Sequence, residues 1–154
     1  MPKRKKKKRI RPLALCVFLR GDKIFVSQGY DSRKDQTFFR PIGGKIEFGE
    51  RAAEAVAREV QEEIGAEIAD LKYLGTLENI FTYEGKPSHE IVMIYDGRFL
   101  DPAMTADDIS VKGIDDGDIL YEAAWKRLDC FRDAGAPPLY PTGLLDLLDS
   151  AKPG

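Results

Sequence analysis

The 154 residues, 43% of them hydrophobic, suffice for one domain with one core, since about 100 to 200 residues per domain is usual. Two cysteines, Cys16 and Cys130, and a single histidine, His89, exclude a disulfide scaffold and a thiolate- or histidine-rich metal centre, and they point to a reduced, cytoplasmic protein. The net charge of −2 hides a division: Lys3, Arg4, Lys5, Lys6, Lys7, Lys8, Arg9 and Arg11 place eight of the 24 basic residues in the first eleven, which leaves 16 against 26 acidic ones and a charge of −10 on the rest.

Residues 1–11 read as a basic, disordered tail, because like charges repel and nothing apolar ties them down, and residues 12–152 read as one domain. The apolar run at 12–19 after this basic start has the outline of an export signal, but Arg20-Gly21-Asp22 follows it without a small-residue cleavage site. No run approaches the roughly 20 residues of a membrane-spanning helix. Residues 13–19 and 23–27 are β-branched and apolar and predict a hairpin about Arg20-Gly21-Asp22. A short strand at 38–40 is stopped by Pro41, with Gly43 and Gly44 as turn residues. From 51 to 64 the pattern turns helical: Ala53, Val56, Ala57, Val60 and Ile64 recur at spacings of three and four, and Gly65 stands where a C-terminal cap belongs. An antiparallel pair follows at 68–82 and 90–100 about a turn at 84–88. Residues 102–118 read as acidic and irregular, 119–125 as a last strand, and 142–151 as a closing amphipathic helix.

The informative stretch is the helix with its approach. At about 100° per residue, with Glu59 set at zero, Glu63 falls near 40° and Glu62 near 300°, while Val56, Val60 and Ile64 centre near 100°. Three carboxylates therefore share one ridge beside the buried face. Like charges at this spacing destabilise a helix by about 0.2 to 0.5 kcal/mol per pair, and Glu62 and Glu63 occupy the last turn, where the helix dipole favours cations. A bound divalent cation offsets both effects, and an all-oxygen donor set suits Mg²⁺ or Mn²⁺ rather than zinc. The competing reading is a salt-bridged outer face, since Glu54, Arg58 and Glu62 step by four. Against it stand Gly43 and Gly44, which let a phosphate approach the main chain, and the further acids Glu47 and Glu50.

These residues resemble a family pattern. Gly44, Glu50, Arg58-Glu59-Val60, Glu62-Glu63 and Gly65-Ala66 match the Nudix box, G-x5-E-x7-R-E-U-x-E-E-x-G-U with U aliphatic, at every fixed position; Ala66 is smaller than the usual aliphatic. The flanking PIGGKIEFGE, LENIFTYEGKPSHEIVMIYDGRF and PLYPTGLLDLL are similar to a subfamily with an ENxFxxxGxxxHEI stretch. The resemblance implies an α/β/α sandwich with a mixed sheet and a hydrolase acting on a nucleoside diphosphate linked to another moiety. It implies Glu59, Glu62, Glu63 and the Gly43 carbonyl as ligands to Mg²⁺ or Mn²⁺, with Arg58 and Glu50 orienting them. In this family a general base or a further metal ligand often comes from a later strand or loop, and the resemblance makes Glu90 and Glu122 candidates, with Glu47 before the helix as a third.

Substrate contacts are expected from Arg40, Tyr83 and His89, and Asn79 is of the same kind as His89. Tyr83 falls near a tyrosine of relatives that cleave diadenosine polyphosphates. Among the aromatic residues near the box, Tyr30, Phe38, Phe39 and Phe81 could also form a platform, although most of them read as core. Partners implied are a nucleotide or nucleotide-sugar diphosphate, with RNA, held by the basic tail, and a second copy of the chain as further candidates. A non-catalytic binding module is the remaining alternative. Loss of box acids would mark it, and none is lost.

Overall fold

The computed structural model describes residues 7–151. Strand β1 (Ile10–Cys16) begins within the stretch expected to be tail; the remaining expectation of disorder falls mostly on residues 1–6, outside the described residues. Every residue from Leu13 to Phe18 is buried. A strand covered on both faces belongs inside a sheet, where it reads as a continuous apolar run instead of an alternating one. Accordingly β1 lies between β5 (Ile42–Lys45), antiparallel to it, and β7 (Lys86–Phe99), parallel to it, and β6 (Ile68–Tyr83) completes the order β5-β1-β7-β6.

This overturns the expected hairpin between 13–19 and 23–27. At Phe18 φ is +30°, and the chain leaves the first sheet there. Only β2 (Leu19–Arg20) pairs with β3 (Lys23–Asp31) across the turn. The second sheet runs β2-β3-β9-β8, with β4 (Gln36–Arg40) also on β3, β8 at Ser110–Ile114 and β9 at Leu120–Arg127. Two further expectations are corrected. Residues 42–45 form a strand in place of the expected turn, and β8 lies in the segment that reads as irregular.

Helix α1 (Ala52–Ile64) covers one side and α2 (Leu144–Ala151) the other. The alternation of β1 explains how: Leu13, Leu15 and Val17 pack with Val92, Ile94, Leu144 and Leu148, while Ala14, Cys16 and Phe18 pack with Ala55, Val56 and Val60. The result is the expected α/β/α sandwich with mixed strand directions. Helix α1 starts at Arg51, whose N–H donates to Glu54, and stops at Gly65, which adopts φ +67° and donates its N–H to the Gln61 carbonyl. Cys16 is core, as expected, and burial pushes its thiol up to about 12. Among the described residues no helix is long and apolar enough to cross a membrane.

Candidate active site

Arg58, halfway along α1, holds the carboxylates in place. Its Nε and Nη2 donate to the two oxygens of Glu50 at 2.8 and 2.9 Å, Nη2 also donates to the Lys45 carbonyl at 3.0 Å, and Nη1 donates to Glu59 and Glu62 at 3.0 and 3.1 Å. All five guanidinium N–H groups are thus engaged, which a lysine could not reproduce. The Arg58 fork holds the Glu50 carboxyl at about 2, well below its ordinary value. The salt-bridged reading of the helix face is therefore part of the site's construction: the step of four from Arg58 to Glu62 is an ion pair.

Glu59 is buried at 2% exposure. It reaches the backbone of β5, where a Cβ on Gly44 would stand 2.5 Å from the Glu59 carboxyl carbon. Gly43 is required for a similar reason, since a Cβ there would lie 2.1 Å from the Ala14 carbonyl oxygen. One Glu59 oxygen accepts from Arg58, while the other, Oε2, is buried without a hydrogen-bond partner among the described residues. Burial pushes the Glu59 carboxyl up, and it pushes Glu63 up to about 8, with the Tyr121 hydroxyl lowering Glu63 and the Glu59 carboxyl adding to the rise. Tyr121 on β9 donates to Glu63 at 2.9 Å and so ties the second sheet to α1.

One carboxylate oxygen from each of Glu59, Glu62 and Asp116 lies within 4.8 Å of the others. Asp116 sits in the turn between β8 and β9 and escapes the sequence reading, because 102–118 offers only a diffuse acidic signal. An orphaned buried carboxylate oxygen beside two exposed carboxylates fits a hard divalent cation. Among the expected ligands, Glu59 and Glu62 meet in this cluster, whereas Glu63 faces Tyr121 and, with Gly43, lines the adjoining cavity.

That cavity has a volume of about 970 Å³. Arg40, Tyr83, Glu90 and Glu122 all line it, as does Asn79. Glu90, 2% exposed, accepts from Arg11 at 2.8 Å, and Asn79 accepts from the Thr142 backbone and hydroxyl at 3.2 and 3.1 Å. Glu122 is exposed. Glu47 is exposed too and donates its N–H to Glu50 without lining the cavity. His89 alternates with the lining residues Ser88 and Glu90 and is not itself part of the lining, and its Nε2 is buried without a hydrogen-bond partner among the described residues. One wall is aromatic: Phe38 meets Tyr83 and Tyr140 edge to face at 5.8 and 5.7 Å, and Tyr140 lies near-parallel to Phe81 at 6.4 Å. Phe39 instead belongs to the core. Tyr140 is not among the expected residues, because it comes from an irregular segment distant in sequence.

Two helices enclosing one mixed and one antiparallel sheet, with a glycine strand laid against a carboxylate-bearing helix, define an α/β/α sandwich. The chain belongs to the NUDIX domain family, whose family model matches residues 9–129. It is similar to a NUDIX hydrolase from Nitrosomonas europaea (TM-score 0.61, 19% identity, 92% of this chain and 87% of that one) and to a MutT NUDIX hydrolase from Burkholderia pseudomallei (TM-score 0.60, 18% identity, 94% and 100%). In sequence it resembles proteins of Pseudomonas aeruginosa named NAD-capped RNA hydrolase NudC, 24% identical over 146 residues that make up 95% of this chain and 46% of theirs. The chain thus spans about half the length of these curated relatives.

Proposed function

We propose that the protein is a cytoplasmic, metal-dependent pyrophosphohydrolase that cleaves the diphosphate linkage of a nucleoside diphosphate joined to another moiety. The observation that carries this reading is the buried, unpartnered Oε2 of Glu59 beside Glu62 and Asp116, at the mouth of the glycine strand. Glu59, Glu62 and Asp116 would hold Mg²⁺ or Mn²⁺, with Glu63 and the Gly43 carbonyl as further donors, and the ion's charge would offset that of the phosphate oxygens and make the attacking water more acidic.

The residues of the chain supply the rest. Arg58 and Glu50 fix the carboxylates. Arg40 meets the anionic substrate, and the aromatic wall with Tyr83 receives its flat ring. Glu90, which accepts from Arg11, orients the substrate. Glu122, exposed on the cavity wall, takes the proton of the attacking water as its oxygen bonds to phosphorus and the bridging P–O bond breaks. A screen of nucleoside diphosphate derivatives with Mg²⁺ or Mn²⁺, repeated in EDTA, tests the reading. Metal-dependent release of a nucleoside monophosphate is expected, and no turnover of any compound would refute it.

A second reading makes the substrate an RNA whose 5′ end carries the linkage. The name of the Pseudomonas aeruginosa relatives and the eight basic residues at the start of the chain favour it.

A further inference from the structure

Strand β1 begins at the cavity. Its parallel register sets Arg11 opposite Glu90, and the next pairing sets Glu90 opposite Asn79, so the three form one row across β1, β7 and β6, and all three line the cavity. The next row outward on the same face is Ser88 opposite Phe81, again both lining. Residues two apart in a strand share a face, so the register that pairs Ile10 with His89 brings Arg9 toward the Ser88–Phe81 row. Phe81 is in turn one end of the chain of rings that runs through Tyr140 and Phe38 to Tyr83. The basic stretch therefore leaves the fold beside Phe81, at one end of that chain of rings. Lys7, Lys8 and Arg9 are exposed there, and Lys3, Arg4, Lys5 and Lys6 precede them in the sequence.

Charge gives this position a consequence. Without its first eleven residues the chain carries −10, and such a body repels a polyanion as it approaches. The exposed Lys7, Lys8 and Arg9 at the cavity rim reverse the sign locally. Fully extended, residues 7–11 reach about 17 Å, enough to follow two or three phosphates. A cationic path that continues an aromatic wall is the combination by which single strands are held: bases stack on rings, and phosphates meet the cations.

We propose that the cavity and residues 7–11 form one continuous track for single-stranded RNA. The terminal base lies against Phe38, Phe81, Tyr83 and Tyr140, and the diphosphate linkage sits beside Glu59, Glu62 and Asp116. The phosphodiester chain leaves past Arg11 along the basic residues. This rests on the RNA reading above and deepens it by naming the path and its direction.

The test is binding of a fluorescent 12-nucleotide RNA with a 5′-triphosphate, followed by anisotropy in the full-length protein and in the K7Q/K8Q/R9Q variant, with melting temperatures to confirm that both fold. The track predicts at least tenfold weaker binding by the variant. It also predicts a salt dependence shallower by about two, since each single-strand phosphate that a cation neutralises contributes about 0.7 to the slope and the variant removes three cations. ATP should displace the RNA, and the same RNA with a 5′-hydroxyl should bind more weakly. Equal affinity in the two proteins would overturn the proposal. Tail-dependent binding indifferent to ATP and to the 5′ group would also overturn it, because tail and cavity would then act separately. Tail-dependent binding to phosphatidylserine vesicles with unchanged RNA affinity would assign the tail to a membrane surface instead. The binding readout does not depend on turnover, so failure of the hydrolase reading is seen separately, in the substrate screen.

Discussion

Gly44 and Glu59 are in contact through the space where any other residue would carry its Cβ: an added Cβ would lie 2.5 Å from the Glu59 carboxyl carbon and 2.6 Å from Oε2. The neighbour that must give way is the end of a flexible side chain, so Gly44→Ala should fold. It should also displace the carboxylate proposed to hold the metal. Repositioning a ligand in this way typically weakens metal affinity by about 10 to 100-fold. The Mg²⁺ concentration for half-maximal activity should rise accordingly, and an unchanged requirement would separate Gly44 from the metal site.

Glu50 links the same construction to acid stability. Its carboxyl is lowered from 4.5 to about 2 by Arg58, so the folded state favours the ionised form. That contribution is fully present above about pH 5 and disappears as pH falls toward 2. Glu50→Gln should therefore be less stable than wild type at pH 6, with the gap in urea midpoint narrowing below pH 5 and closing only as pH falls through about 2. A gap independent of pH would show that the pair does not act through the charge of Glu50.

Asp116 reaches the carboxylate cluster from the turn between β8 and β9 and is exposed. Asp116→Asn should leave the melting temperature in EDTA near that of wild type and weaken Mn²⁺ binding about tenfold in calorimetry, because a neutral amide replaces an anionic donor. Wild-type affinity in the variant would confine the metal to α1.

Tyr140 contributes to the aromatic wall through Phe38 and Phe81. Truncating one base-stacking ring costs about 1 to 3 kcal/mol, so Tyr140→Ala should raise KM about tenfold or more with kcat largely kept. A fall in kcat at constant KM would place Tyr140 at the reacting centre instead.

Local pattern makes α1 legible, because its periodicity, its Gly65 cap and its misplaced acids lie within one short stretch of chain. The box residues follow from the same stretch, and the structure joins Arg58, Glu50, Glu59 and Glu62 directly. What stays hidden in the sequence depends on register between distant segments. Asp116 meets Glu59 because β8 and β9 bring their turn to α1, and Arg11 meets Glu90 through a parallel pairing of β1 with β7. The hairpin expected at Arg20-Gly21-Asp22 is too long because the apolar run from Leu13 to Phe18 suits a central strand, and its exit at Phe18 uses a positive φ that has no sequence signature. Likewise Gly43 and Gly44 read as turn residues, although close backbone and carboxylate contacts in β5 are what demand them.

Glu62 offers the most direct test of the central claim, because its side chain is 53% exposed and its loss leaves the core untouched. The measurement is the rate of hydrolysis, with Mg²⁺, of the best substrate from a nucleoside diphosphate screen, compared between wild type and Glu62→Gln with melting temperatures alongside. A carboxylate-held metal at this site predicts a loss of about 10³-fold in kcat, a few kcal/mol of transition-state stabilisation, with the melting temperature nearly unchanged. Wild-type turnover in Glu62→Gln would contradict the account.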